Sequence, residues 1–383
     1  MGPSTIVYLD HAATTPVDPR VLHAMLPYFT EQAGNASSVH ALGQEARAAV
    51  DQARAQVAAA VGARPAEIIF TSGATESDNL AVAGVALATE ARGRHIVTTT
   101  IEHHAILEVC HFLEHRGYDV TYLPVDGRGI VDPDDVRKAL RADTVLISVM
   151  AANNEIGTLQ PVAEIGRLAR ARNIPFHSDA TQLVGAAPVS VDGLHVDLLS
   201  FSAHKRYGPK GVGALYVRPG VPLTPVQRGG SHERGRRGGT ENVPGIVGFG
   251  AALRIAIGEM EPERARLIAL RDRLIREALE LPGAHLNGDP VHRLSNNVNL
   301  SFDGTDSQSL VMGLDLQGVA ASSGSACSSG SMEPSHVLVA LGVAPDRAAA
   351  AVRLTLGRGT TEADVTSALA ALRDVVIRLQ RAA

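Results

Sequence analysis

From residue 68 to residue 218 the chain alternates short apolar runs with stretches of mixed polarity. IIFT (68–71), HIVTTT (95–100), YDVTYLPV (118–125), TVLISVM (144–150), IPFHSDA (174–180), VDLLSF (196–201) and VGALYVR (212–218) read as strands. The intervening segments, from about Thr75, over 103–116, over 133–141 and over 161–172, carry helical patterns. Strand and helix in alternation predict a parallel sheet with helices on both faces, and such a sheet places its ligand crevice beyond the carboxyl ends of its strands. Before this region, residues 1–20 are turn-rich around Pro16 and Pro19, and the Ala-rich segment Gln44 to Val61 favours helix. After about residue 250 the texture shifts to charged amphipathic helix (Glu261 to Glu280), one strand (Asn296 to Phe302) and a C-terminal helix from about Glu362. The expected organisation is a large domain over 15–255 and a smaller α+β domain built from 1–14 and 256–383.

Composition changes this picture little. A chain of 383 residues, 45% hydrophobic and 20% charged, can bury a large core in about two domains. Its net charge of -5, with 35 basic residues interspersed among 40 acidic ones, points to neither a nucleic-acid nor a membrane partner. The local exception is 228–237, where Arg228, Arg234, Arg236 and Arg237 stand among glycines, a loop suited to an anion or another subunit. No basic region followed by a long apolar run opens the chain, and no stretch of about 18 apolar residues occurs. Cys110 and Cys327 lie outside any metal-ligand spacing, which suits a reducing cytoplasm.

The candidate chemistry lies at the predicted strand ends. Lys205, in SFSAHKRYGPKG, follows a buried run and breaks into glycines; an amine there is partly desolvated and can serve as a Schiff-base nucleophile, the ordinary alternative being a solvated loop lysine. Gly73, Ala74 and Thr75 form a small-residue turn at a helix start, suited to a phosphate or simply to an N-cap. Asp179 ends a strand and could hold a heteroaromatic nitrogen protonated or cap the next element. His103 could stack on a planar ligand, act as acid or base, or only cap a helix. Gln182 and Asn154 are amides able to bind a phenolic oxygen. Together at one sheet edge these are the parts that a pyridoxal phosphate enzyme needs.

The motifs YLDHAATTPVDP, GNASSVHALG, FTSGATESDNLA, NNEIG, HSDATQ, SFSAHKRYGPKG, RRGGTENVPGIVG, SSGSACSSGSMEPSHVL and RLTLGR closely resemble those of the cysteine desulfurases of the NifS/IscS type, in the class V aminotransferase family, in the same order from Tyr8 to Arg358. The resemblance implies a fold-type I architecture with a mostly parallel seven-stranded sheet, and a homodimer using pyridoxal 5'-phosphate. It assigns Lys205 to the covalent link with the cofactor, His103 to stacking on it, Asp179 to its ring nitrogen and Gln182 to its phenolic oxygen. Ala74, Thr75, Ser202 and His204 resemble the phosphate cradle, and Thr240 the phosphate contact given by the other subunit. Asn154 and Arg353 resemble the substrate-binding groups, with Arg353 pairing the carboxylate and Asn35 assisting. His11 and Ala12 depart from the family's pattern, and His11 receives no role.

Cys327 lies in SSGSACSSGS, where every neighbour is Ser, Gly or Ala and nothing large anchors the segment in a core. That setting suits a mobile thiolate better than a structural cysteine, whereas Cys110 falls on the apolar side of a helix and reads as core. The family chemistry implied is removal of sulfur from L-cysteine, leaving L-alanine and a persulfide on Cys327, with His103 as candidate acceptor of the thiol proton. The persulfide then passes to a scaffold protein for iron–sulfur cluster assembly. No resident metal is implied, although Cys327 could ligate an iron–sulfur cluster transiently. The alternatives are a selenocysteine lyase or another class V aminotransferase or lyase, and a sulfur-relay module whose cofactor site is vestigial.

Overall fold

The computed structural model describes residues 6–323 and 334–382. Strand β1 (Val7–Tyr8) precedes helices α1 (Pro19–Met25) and α2 (Ala41–Ala60). The alternating region comprises β2 (Ile68–Thr71), α3 (Ala74–Ala88), β3 (His95–Thr99), α4 (His104–Glu114), β4 (Asp119–Leu123), α5 (Pro133–Ala139), β5 (Thr144–Ser148) and α6 (Val162–Ala171). It ends with β6 (Phe176–Asp179), β7 (Leu198–Ser202) and β8 (Gly213–Val217). Beyond it come α7 (Val243–Ala278), β9 (Ala284–Leu286), β10 (Asn297–Phe302), α8 (Ser307–Leu316), β11 (Val319–Ala320) and β12 (Ser322–Ser323). The chain closes with α9 (His336–Ala340), α10 (Pro345–Ala348), β13 (Ala351–Thr355) and α11 (Glu362–Ala382).

The seven strands β2 to β8 form one sheet in the order β2-β8-β7-β6-β5-β3-β4. Every pairing is parallel except those of β8, which runs antiparallel to both β2 and β7. The cause is local: 203–212 is too short for a crossover helix, so the chain turns back beside β7. Every residue of β2, β3, β5, β6, β7 and β8 is buried, which explains why these strands read as continuous apolar runs rather than alternating ones. On one face α3 and α4 pack Leu80, Val85, Ile106 and Leu113 on the sheet, with Cys110 among them; on the other lie α2, α6 and the first half of α7.

A second, antiparallel sheet, β12-β13-β10-β9, has its own apolar core of Val298, Leu300, Val352 and Leu354 against α8 and α11. The expected helix Glu261 to Glu280 is in fact the last part of α7, which runs unbroken for 36 residues from Val243. Pro262 sits within an exposed stretch of it, where water can satisfy the carbonyl that proline leaves unbonded. Its first half packs on α2, and its second half contributes Leu267, Leu270 and Leu274 to the second core. By length and apolar character α7 could cross a membrane, but its apolar stretch is mostly buried within the protein.

The N-terminal strip ties the two sheets together. β1 pairs parallel with β11, Leu9 lies in the second core, and the Thr355 N–H donates to Leu9 O at 2.7 Å. A few residues later the Thr15 N–H donates to His204 O, and the Asp18 N–H to Tyr207 O, both in the loop after β7.

The turn between β2 and α3 lies against β8 at two glycines. A Cβ on Gly213 would stand 2.6 Å from the Gly73 carbonyl carbon and 2.9 Å from Phe201 O, both backbone. Gly213→Ala should therefore destabilise the protein by about 1–3 kcal/mol. By contrast Gly258, on an exposed stretch of α7 with open space around its Cβ position, should give about 0.5–1 kcal/mol of added stability as Gly258→Ala. Thermal unfolding midpoints moving in opposite directions would confirm the pair; a neutral Gly213→Ala would refute the close approach.

Candidate active site

Polar residues gather at the carboxyl ends of the buried strands, where a sheet of this kind opens its ligand crevice. There Ser72, Gly73, Ala74 and Thr75 (after β2), His103 (after β3), Asn154 (after β5), Asp179 and Gln182 (after β6), and Ser202, His204 and Lys205 (after β7) line one cavity of about 610 Å³. The second sheet adds Arg353 from β13, and the N-terminal strip adds Ala12, Ala13 and Thr14. That volume suits a small organic ligand.

Lys205 sits in a single helical turn, 203–206, closed by Tyr207 in the left-handed conformation at φ 59°. Its Nζ donates to Ala12 O at 2.6 Å and Ala13 O at 2.8 Å. Gln182 Nε2 also donates to Ala12 O, at 3.2 Å. Thr15 holds the same turn from behind, its hydroxyl donating to His204 O and accepting from the Tyr207 N–H, both at 2.7 Å. The strip 12–15 is thus part of the site, which sequence reasoning missed because small residues and threonines carry no chemical signature of their own. His11 is buried, with Nδ1 against Thr355 O and its ring beside Tyr8, and it does not line this cavity.

His103 is both things the sequence allowed. Its Nδ1 accepts the Ala105 N–H at 3.1 Å, capping α4, and the residue lines the cavity. With Nδ1 an acceptor, the neutral ring carries its proton on Nε2. Burial above all lowers its pKa, Lys205 and His104 acting the same way against the opposing pull of Asp179. The cap at Nδ1 and the lowered pKa both favour a neutral ring protonated on Nε2, so the proton uptake expected from sequence would have to displace the Ala105 N–H from Nδ1. His204, hydrogen-bonded to Thr14 Oγ1 at 3.1 Å, is pushed down to about 4 by burial and then by Lys205 and Lys210, and stays uncharged.

The acids divide by environment. Asp179 is 7% exposed and its Oδ1 accepts the Thr181 N–H at 2.9 Å, so it also caps its turn. Near it, burial and then the Asp179 charge raise Asp78 well above its ordinary value, and burial pushes Glu102 up to about 8, so Glu102 holds its proton at neutral pH. Arg353, 2% exposed, donates through Nη2 to Asp10 Oδ1 at 2.9 Å and through Nη1 to Asn154 O at 3.1 Å. Asn154 thereby aims the guanidinium by its backbone.

Four cavity-lining side chains hold a buried polar atom with no hydrogen-bond partner: Asp78 Oδ1, Thr181 Oγ1, Ser202 Oγ and Arg353 Nε. Buried polar groups are normally paired, so these mark a cavity built around a polar ligand. Beside Ser202, the first amides of α3 have no intrahelical acceptor and sit at the positive end of the helix dipole. Phosphate suits that corner and an aldehyde suits Lys205, so the residues fit pyridoxal phosphate.

Two residues are not brought to this cavity. Asn35 is exposed, with Oδ1 accepting from the Ser37 N–H, and nothing places it by the substrate groups of its own chain. Thr240 is exposed on a loop locked by ion pairs: Arg54 to Glu233 at 2.7 and 2.8 Å, Arg47 to Glu241 at 3.1 and 3.0 Å, and Arg237 to Glu76. Cys327 lies outside the described residues. The chain leading to it is placed, since Ser322 pairs with Arg353 across β12 and β13. On the far side, Ser335 caps α9 and donates to Glu155 Oε2 at 2.5 Å. Cys110 is fully buried and its thiol is pushed up to about 12 by burial, which makes it unreactive.

Known proteins resemble this chain over nearly its whole length. A curated relative from Dictyoglomus turgidum, cysteine desulfurase IscS, is 53% identical over 98% of this chain and 95% of its own. A solved NifS-like protein superposes with a TM-score of 0.92 at 41% identity, covering 98% of this chain and 100% of the other. A solved structure of SspA in complex with cysteine gives a TM-score of 0.82 at 39% identity over 91% of this chain and 98% of the other. The profile of the family described as aminotransferase class-V matches residues 7–367, and the chain belongs to that family.

Proposed function

We propose that this chain is a pyridoxal phosphate-dependent cysteine desulfurase, which takes sulfur from L-cysteine onto Cys327 and releases L-alanine. The observation that carries the reading is the convergence of Lys205, Asp179, His103, Gln182 and Arg353 on one cavity beside a phosphate-suited helix start. When bound, the cofactor supplies an electron sink for negative charge at the substrate's α-carbon. Lys205 would hold it covalently and, during turnover, its amine would take the α-proton. Asp179 keeps the ring nitrogen protonated, His103 covers the ring, and Gln182 donates to the phenolic oxygen. Ala74 and Thr75 amides with Ser202 and His204 hold the phosphate. Arg353, oriented by Asp10 and by the Asn154 carbonyl, pairs the substrate carboxylate.

Cys327 then attacks the substrate sulfur as a thiolate. An S–S bond forms as the C–S bond breaks, its electron pair leaves with carbon, and a proton completes alanine. A thiol and L-cysteine thus become a persulfide and L-alanine, with no further oxidant. The persulfide goes on to an acceptor protein, which for the IscS reading is a scaffold for iron–sulfur cluster assembly.

The working unit is proposed to be a homodimer in which Thr240 reaches the phosphate of the second copy. Support comes from its exposed position on a pinned loop, and from the exposed apolar side chains Leu22, Leu26, Phe29, Val39 and Leu42, gathered within residues 22–42. Residues 15–255 would form the cofactor-binding unit, and 1–14 with 256–383 the unit carrying the cysteine segment. A thiol nucleophile needs a reducing compartment, which supports the cytoplasm.

Lys205→Ala should lose the visible absorbance of the bound cofactor and its trapping by borohydride; a coloured, trappable Lys205→Ala protein would refute the covalent link. Cys327→Ser should bind cofactor yet lower alanine formation from L-cysteine by more than about a hundredfold. Mass spectrometry of the unmodified enzyme after turnover should find one added sulfur on Cys327, and alanine release by the serine variant at the normal rate would refute the thiol step. Arg353→Ala should raise KM for L-cysteine by roughly thirtyfold or more with cofactor binding retained, and an unchanged KM would remove Arg353 from the site.

A further inference from the structure

Glu76, the third residue of α3, lines the cavity beside Ser72, Gly73, Ala74 and Thr75. Its carboxylate closes the turn from within, accepting the Ser72 N–H at 2.6 Å. That places an anionic side chain at the corner where a phosphate would sit, an unfavourable neighbour for a dianion. Arg237 meets it from the loop 228–241 with two parallel bonds, Nε to Oε1 at 2.9 Å and Nη2 to Oε2 at 3.3 Å. Both side chains are largely shielded, at 18% and 17% exposed, so solvent screens the pair only in part. The loop is held independently through Arg54–Glu233 and Arg47–Glu241, and Arg237 reaches Glu76 from an already ordered backbone.

We propose that Glu76 and Arg237 are a positioning pair for the cofactor phosphate. Glu76 shapes the turn through the Ser72 amide, and Arg237 cancels the charge that Glu76 would otherwise direct at the phosphate. The pair rests on the pyridoxal phosphate reading of this cavity. Burial alone would raise the Glu76 pKa, but the bonds from Arg237 and from the Ser72 N–H outweigh it and hold it below its ordinary value, so the carboxylate is ionised and needs its partner. Lys205, Lys210 and neutral His204 line the same cavity, and Asp78, its pKa raised by burial, lies two residues further along α3. Thr240 stands three residues beyond Arg237, so the loop offered to a second copy is clamped at this chain's own phosphate turn.

The test is a binding titration of the full-length apoprotein with pyridoxal phosphate and, separately, with pyridoxal, which lacks the phosphate. Arg237→Met should weaken pyridoxal phosphate by about tenfold to a hundredfold. Pyridoxal binding should stay within about twofold, which also reports an intact site. Arg237→Lys, which keeps the charge, should recover most of the loss. So should the double variant Glu76→Gln/Arg237→Met, in which no carboxylate is left to neutralise. Equal weakness in the single and double methionine variants would overturn the proposal, as would equal loss of both ligands in Arg237→Met, or no loss at all. If the unmodified protein bound neither ligand through Lys205, the cofactor reading would fall instead.

Discussion

The amine of Lys205 rests on the carbonyl oxygens of Ala12 and Ala13, and much of the site depends on that contact. The lysine belongs to the loop after β7 in the large sheet, whereas the strip supplying the carbonyls begins as β1, paired with β11 beside the second sheet. A few hydrogen bonds between residues 9–18 and residues 204, 207 and 355 therefore decide how the two sheets are set against each other. Arg353 comes from the second sheet and Asp179 from the first, so their placement in one cavity is a consequence of that stitching. The backbone can do this because the strip forms no regular element of its own over residues 11–18, which leaves its carbonyls available to side chains.

Burial then sorts the charges. Glu102 sits deep enough to keep its proton and Asp78 is raised by the same cause, while burial lowers the pKa of His103 and of His204. Once these are neutral, the cavity's charge is carried by a short set of groups: Lys205, Lys210 and Arg353 as cations, Asp179 as the acid at its wall, and Glu76 with Arg237 cancelling locally. Desolvation thus does much of the electrostatic design before any ligand arrives, and a protonated Glu102 lowers the repulsion that Asp179 would otherwise meet.

The division between stiff and adaptable parts follows the same logic. The large sheet is buried on both faces and cannot shift without exposing its strands, so the strand-end groups are held as a rigid array. Arg353 comes instead from the second sheet, where it pairs with Ser322.

Periodicity, turn residues and strand-end polarity were enough to establish the α/β class, the order of the strands along the chain and the set of residues expected to share an edge, because these depend on neighbours close in sequence. The antiparallel course of β8, the continuity of α7 through Pro262, and the entry of residues 12–15 into the site depend on contacts between distant segments. Asn35 shows the limit: its motif matched the family, yet its side chain is spent on Ser37 and it lies away from the cavity of its own chain. Likewise a charge pair such as Glu76 with Arg237, 161 positions apart, leaves no mark in either local pattern. Sequence by itself determined which chemical groups are present and which strand ends they occupy; only the packing of the two sheets and the strip between them decided which of those groups are neutral, which are paired, and which face the same space, since desolvation and charge pairing act through distance rather than along the chain.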